Sequence, residues 1–375
     1  MVKKLLYKIL NYKIPVFIEK TVLGIDIGAS AIKVVQLRSN KGKVVLENYG
    51  ELALGPYVGE GVGQAVTLST EKISEALVDV LKEAKITSEK TAIAIPLGSS
   101  LLSFITLPTR DPTQLARMIP IEARKYIPVP ISEVALDWWV LPNPGGIIKK
   151  SNKKDKDKKK EPDQSEVVIA AIHNETIDKY KQIQAMTGLT VDTFEIEIFS
   201  SIRSVVGRDM KPIIILDIGA GSSKLAMVEY GIVKSYHSIN MGSQDITSSI
   251  SKAFSIDMVS AEKLKREFGL DGEVEGHTIK DIAELPLGHI FSEAKNAIAT
   301  FNERQSKPIS KIILVGGGAL LGGLQEFAQK EFEINVVLGD PFSKVETPAF
   351  LDNLLKRVGP EFAVALGVSL KALQE

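Results

Sequence analysis

The chain has 375 residues, 44% of them hydrophobic, which suits two or more cored units better than one. Lys+Arg and Asp+Glu both number 46, so the chain lacks the basic excess of a general nucleic-acid binder, and no nucleic-acid partner is expected. With no cysteine there is no disulfide, thiolate metal site or cysteine nucleophile, and His173, His237, His277 and His289 show no ligand spacing, which leaves a hydrated metal on carboxylates.

Residues 1–20 read as a basic leader. Val2, Leu5, Leu6, Ile9 and Leu10 share one helical face, Lys3, Lys4 and Lys8 lie mostly opposite, and Pro15 ends the pattern. So short a helix needs a surface to form on. Residues 1–14 are therefore a candidate for contact with an anionic membrane; packing on the protein's own first lobe and disorder are the alternatives. The leader is too charged for a signal peptide, and no 18-residue apolar run exists, so the expected location is the cytoplasm.

From Thr21 the pattern reads as strands at Thr21–Ile27, Ala31–Leu37 and Lys43–Ala53. A helix over Ser69–Ala84 follows, capped by Thr70, then a buried strand at Thr91–Ile95. Residues 99–192 have a different texture and are expected to form an inserted small domain. It has strands at Leu101–Leu107, Val134–Leu141 and Val167–Ile172, a helix over Thr113–Tyr126 broken near Pro120, and a helix over Asn174–Thr187. Residues 149–161 are almost all Lys, Asp and Glu and read as a solvated loop. A second lobe, residues 212–345, opens with a hairpin, Ile213–Ile218 and Lys224–Glu229. Helices at Ser243–Phe254, Ser260–Phe268 and Ile290–Arg304 follow, then a buried strand at Lys311–Val315. Residues 21–98, 193–211 and 346–375, with a helical tail at Glu361–Leu373, make up the first lobe.

An internal repeat carries the chemistry. Residues 23–30 read Leu-Gly-Ile-Asp-Ile-Gly-Ala-Ser before a β run with Lys33; residues 214–223 read Ile-Ile-Leu-Asp-Ile-Gly-Ala-Gly-Ser-Ser before a β run with Lys224. Small residues in a tight hairpin (Gly28, Ala29, Gly219, Gly221) let backbone N–H groups approach a phosphate, and Ser30, Ser222 and Ser223 add hydroxyl donors. Asp26 and Asp217 repel phosphate but can hold a hydrated Mg²⁺ that bridges to it. Lys33 returns on the next strand within phosphate reach. One such hairpin alone is an ordinary turn; two with matching flanks suggest paired lobes clamping one nucleotide. A third element, Ile313-Leu-Val-Gly-Gly-Gly-Ala-Leu-Leu-Gly-Gly, runs a strand into Gly316, Gly317 and Gly318 and then a helix. There the backbone can lie flat on adenosine, and a helix N-terminus can face phosphate. Glu262, Lys265 and Arg266 share one helix face, where a carboxylate can accept ribose hydroxyls and the cations can flank adenine; a plain solvated face is the alternative. Neither a P-loop nor a Rossmann glycine motif is present.

In this order the elements resemble the actin, Hsp70 and sugar-kinase superfamily. Leu23-Gly-Ile-Asp-Ile-Gly-Ala-Ser, Lys125-Tyr-Ile-Pro, Val134-Ala-Leu-Asp and Val191-Asp-Thr-Phe-Glu-Ile-Glu are similar to the PilM family of type IV pilus assembly proteins, related to the FtsA cell-division family. The resemblance implies an α/β, two-lobed actin-like ATPase fold with an FtsA-like inserted 1C domain, ATP with Mg²⁺, and a partner. That partner is the cytoplasmic N-terminal peptide of the inner-membrane protein PilN, held between the first lobe and the small domain. Tyr126 and Ile127, with Ile119, are candidates for the wall of that groove or for the small domain's core. Glu197, on the crossover before the second lobe, is a candidate for orienting an attacking water or for a helix-cap or salt-bridge role. Alternatives on the same fold are an FtsA-like filament former, with self-association, and a sugar or acid kinase, for which no base stands out.

Overall fold

The first hairpin seeds the first lobe. β1 (Lys20–Ile27) turns through residues 28–30 into β2 (Ala31–Asn40), and β3 (Lys43–Ala53) adds antiparallel to β2. In this computed structural model the described residues are 20–141, 164–209, 211–274, 276–304 and 308–374; the leader before Lys20 and the charged run 149–161 lie outside them. α1 (Thr70–Glu83) is capped by Ser69, whose Oγ accepts from Lys72 N, so the cap falls one residue before the Thr70 expected from sequence. β4 (Lys90–Ile95) pairs parallel with β1.

A small sheet interrupts the lobe. β5 (Ser100–Leu107), α2 (Pro112–Ala123, with Pro120 inside it), β6 (Val134–Val140) and β7 (Ser165–His173) give the order β5-β7-β6, antiparallel throughout. α3 (Asn174–Thr187) and β8 (Thr190–Ile196) depart from the expected division at residue 192. Tyr180 and Ile183 of α3 enter the core that Leu77 and Val80 of α1 line, and β8 pairs with β4. The chain thus re-enters the first lobe after β7, because the apolar face of α3 finds its cover on α1. α4 (Glu197–Val205) follows.

The second lobe repeats the plan with β9 (Ile213–Ile218), β10 (Ser223–Glu229) and β11 (Ile232–Ile239), α5 (Ser243–Phe254) and α6 (Met258–Phe268). A minimal hairpin, β12 (Glu273–Val274) and β13 (His277–Thr278), leads to α7 (Ile279–Arg304); β14 (Lys311–Val315), α8 (Leu324–Phe332) and β15 (Val336–Leu338) complete it. α7 starts well before the Ile290 expected from sequence. Ile279, Ala283, Leu287 and Ile290 are all fully buried at helical spacing, and that burial outweighs the cost of Pro286 in its interior. α9 (Asp352–Val358) and α10 (Ala363–Gln374) return to the first lobe.

The two large sheets have the same form. The first is ordered β3-β2-β1-β4-β8 and the second β11-β10-β9-β14-β15: three antiparallel strands, then two parallel ones. Each is covered on both faces, which is why β1 and β9 read as nearly continuous apolar runs. α1 and α3 cover one face of the first sheet and α10 the other. α5, α6, α7 and α8 cover one face of the second. Its other face meets α4 and the small sheet, where Leu102, Val168 and Ala170 pack with Ile202, Ile215 and Val228. The small domain is therefore wedged against the second lobe and α4, with Trp139 of β6 and Phe199 of α4 in edge contact at 4.8 Å. No helix among the described residues is long and apolar enough to cross a membrane.

Candidate functional site

Strand pairing places the two motif aspartates by the same rule. Asp26, the next-to-last residue of β1, stands opposite Lys33 on β2, and Asp217, the next-to-last of β9, opposite Lys224 on β10. Both turns close the same way, with Gly28 N donating to Ala31 O and Gly219 N to Ser222 O, each at 3.0 Å. The hairpins face each other across a cleft of about 610 Å³ lined by residues of both lobes.

Each lysine is held by a glutamate. Lys33 meets Glu51, its cross-strand partner on β3, at 3.1 Å. Lys224 meets Glu197 at 2.9 Å, and the other Glu197 oxygen accepts from Leu97 N at 2.6 Å. Burial pushes Asp26 up to about 7; Glu197 and Asp217 push the same way, while Lys33 and Lys224 oppose them. Asp217 is raised by burial too, again with Glu197 adding to it. Glu361 is pushed up to about 7 by burial and by Glu51. Burial acts to lower both lysines, yet the surrounding carboxylates hold them above the ordinary range. The cleft thus has more carboxylates than cations, an arrangement that a divalent cation would relieve.

The glycine segment forms the third wall. Gly316 stands at φ +85°, and a Cβ there would collide with Asp217 Oδ1 and the Ile218 carbonyl, so only glycine fits. Gly316, Gly317 and Gly318 all line the cleft. They lead into a 3₁₀ turn over Gly317–Leu320, and α8 begins only at Leu324, so the helix does not follow the glycines directly as expected. On α6, Glu262 Oε2 meets Thr247 Oγ1 and Lys265 Nζ, both at 2.6 Å, and Oε1 meets Arg266 Nε at 2.7 Å. Burial works against the Glu262 charge, but Lys265 and these hydrogen bonds hold its carboxyl below the usual range. Burial lowers Lys265. Glu262 and Lys265 are buried and Arg266 is largely exposed at the rim.

Of the residues singled out from sequence, Asp26, Gly28, Ala29, Ser30, Lys33, Glu197, Asp217, Gly219, Gly221, Ser222, Glu262, Lys265, Arg266 and the three glycines all reach the cleft. Ser223 does not. It is fully buried, and its Oγ donates to Met241 O at 2.8 Å, so it braces the hairpin from behind. Ile119, on α2, and Ile127, four residues past its end, belong to the small domain's core with Val167, Ile169 and Ala171 of β7; Tyr126 is 49% exposed and remains outside it. Lys224, Glu51 and Glu361 line the cleft without having been singled out. Lys224 was legible, since it follows Asp217 at the spacing at which Lys33 follows Asp26. Glu51 and Glu361 carry no local motif; only strand register and the return of the chain bring them in.

The cleft fits a nucleotide with a hydrated divalent ion on this chemistry. A glycine wall leaves backbone open, two hairpin turns supply donors, and two carboxylates face each other. Among the described residues no group of three or more acidic, His or Cys side chains gathers at metal-binding distance. Two carboxylates suit Mg²⁺, which keeps its waters and takes few protein ligands.

The profile described as type IV pilus assembly protein PilM matches residues 24–373. The chain belongs to the PilM family. Among solved structures it is similar to a chain of a PilM-PilN type IV pilus biogenesis complex, with TM-score 0.79 and 24% identity, covering 96% of this chain and 100% of that one. It also resembles Spiroplasma citri MreB5 bound to ADP, with TM-score 0.53 and 12% identity over 94% of this chain and 95% of that one. The fold of this PilM family member is thereby the two-lobed actin-like one. Among curated proteins it is 27% identical over 192 residues to FtsA of Neisseria meningitidis serogroup B, which spans 44% of this chain and 46% of that protein. To FtsA of Pseudomonas aeruginosa it is 22% identical over 393 residues, spanning 95% and 90%. The chain thus spans under half the length of the Neisseria protein and most of the Pseudomonas one.

Proposed function

We propose that this PilM family member binds Mg·ATP in the interlobe cleft and serves as a type IV pilus assembly platform, docking the cytoplasmic N-terminal peptide of a PilN-like inner-membrane protein on its small domain. The observation that carries the nucleotide reading is the paired geometry: two Asp-to-Lys hairpins, in matching register, facing one cleft. Asp26 and Asp217 would hold a hydrated Mg²⁺. Such an ion would supply positive charge to offset the phosphates. The hairpin turns present small residues to the phosphates, Lys33 and Lys224 stand behind them, Gly316–Gly318 offer a flat wall to adenosine, and Glu262 accepts from the ribose. Glu197 serves here as a positioning group, with one oxygen on Lys224 and the other on Leu97 N. The test is Mg·ATP titration by calorimetry. Asp26→Ala and Asp217→Ala should each abolish binding while the circular dichroism spectrum stays native; normal binding by both would overturn the assignment.

The partner reading rests on family membership and on the small domain's form. Among the described residues β5 and β6 are the edges of the small sheet, where a strand can be added. β5 borders a second cleft, about 460 Å³, shared with β11 and α7 and lined by Phe104, Tyr236 and Phe301. Such docking would keep the protein at the inner membrane through its partner. In fluorescence anisotropy with a labelled PilN N-terminal peptide, Phe104→Ala should weaken binding if the peptide uses this cleft, and Tyr126→Ala if it uses the outer face. Unchanged affinity in both variants would remove the small domain from the reading.

A further inference from the structure

The segment between β3 and α1 belongs to the first lobe in sequence, yet it leans on the second. Its ends are tied to the first phosphate hairpin: Leu54 N donates to Ser30 O and Val66 N to Ala29 O, each at 2.9 Å. Its middle crosses to the opposite lobe. Ala65 N donates to Gln244 Oε1 on α5 at 2.5 Å, and Ala65 lies 3.7 Å from where a Cβ on Gly221 of the second hairpin would stand. Gly63, at φ +87°, lies so close to α6 that a Cβ there would stand 2.6 Å from Glu262 Oε1 and 2.7 Å from Arg266 Nη2. A Cβ on Gly61 would meet Val259 Cγ2 at 2.6 Å. Within the segment, Glu60 N donates to Gly55 O at 2.9 Å and Gly59 N to Pro56 O at 3.3 Å, so it holds its own shape.

We propose that residues 59–66 form an interlobe strap, latched by the Ala65 N–H to Gln244 hydrogen bond, that sets the rate at which nucleotide leaves the cleft. The claim rests on the nucleotide reading above, and the geometry adds one idea to it. The strap touches both phosphate hairpins and the nucleoside face at once, so the lobes cannot separate without breaking it. It packs through glycine backbone on α6, so its contact with Glu262 and Arg266 is shape-limited and admits no side chain. The latch is one neutral hydrogen bond, weak enough to open and reclose. Gln244 is a positioning residue: it touches the strap, and through the strap acts on Glu262.

The chain has no cysteine, which allows clean spin labelling. Glu60→Cys on the strap and Lys263→Cys on α6 are both exposed positions. Pulsed EPR on the full chain should give a narrow distance distribution that broadens in Gln244→Ala and in Gly63→Ala, with both variants still cooperatively folded by thermal melt. Dissociation of radiolabelled ATP, chased with unlabelled ATP, should become about five- to tenfold faster in both. Distributions like that of the parent pair would overturn the strap itself. A broadened distribution with an unchanged dissociation rate would overturn its role in exchange. A parent protein that releases no label because it binds none would refute the nucleotide reading, while the EPR arm would still decide whether the strap is latched.

Discussion

Three carboxylates of the cleft, Asp26, Asp217 and Glu361, are biased by burial toward their protonated forms. Asp26 and Glu361 are each pushed up to about 7, burial first among the causes. In the unfolded chain they would lose their protons near pH 4. The folded protein therefore binds more protons between about pH 4 and 7, and without ligand its stability falls as pH rises through that window and levels off above it. Asp26→Asn should raise the melting temperature by a few degrees at pH 8 in EDTA, change it little at pH 5, and abolish Mg·ATP binding. A variant no more stable than the wild type at pH 8 would show that Asp26 is not strained. The Lys224–Glu197 pair makes a second prediction. Both side chains are largely buried, so Lys224→Met leaves an unpaired carboxylate and should cost about 3–5 kcal/mol in chemical denaturation. Adding Glu197→Gln removes that charge while keeping an acceptor for Leu97 N, and most of the loss should be recovered.

Elements were legible where period and punctuation agreed. The two Asp-Ile-Gly-Ala hairpins announced themselves because a tight turn needs small residues at fixed places, and the site inherits its geometry from those turns. α7 was legible only in its second half, since Pro286 looks like a stop until the burial of Ile279 and Ala283 is known. α4 and β11 gave no sufficient local pattern, and α4 carries Glu197, whose partners Lys224 and Leu97 lie far away in the chain. Tertiary register decides such pairs, and single-sequence periodicity cannot see it. α10 shows the same dependence in its energetics. Its residues Ala365, Leu366 and Val368 are fully buried against the first sheet, and Ser369 Oγ donates to Val35 O at 2.9 Å. Leu366→Ala should cost about 2–5 kcal/mol, measured by urea unfolding. A loss below about 1 kcal/mol would mean that α10 is an accessory layer rather than a wall of the first lobe.

At the scale of the molecule, the internal repeat in the sequence became a repeat in space, two sheets of one topology enclosing one cleft. The leader lies outside the described residues, and its amphipathic pattern is tested by flotation with anionic liposomes. The full chain should float and a chain beginning at Lys20 should not; equal behaviour of the two would dismiss a membrane role for residues 1–14. The first lobe also has an unusual construction. It is closed by contacts between the two ends of the described chain: Lys20 Nζ donates to Ala372 O at 2.6 Å, and α10 lies against β1. During synthesis one face of its sheet must wait, uncovered, until residues 363–374 have left the ribosome, whereas β9 to β15 of the second lobe are contiguous and already available. The second lobe should therefore fold first, with the first lobe's exposed β1 and β2 dependent on chaperones in the interval.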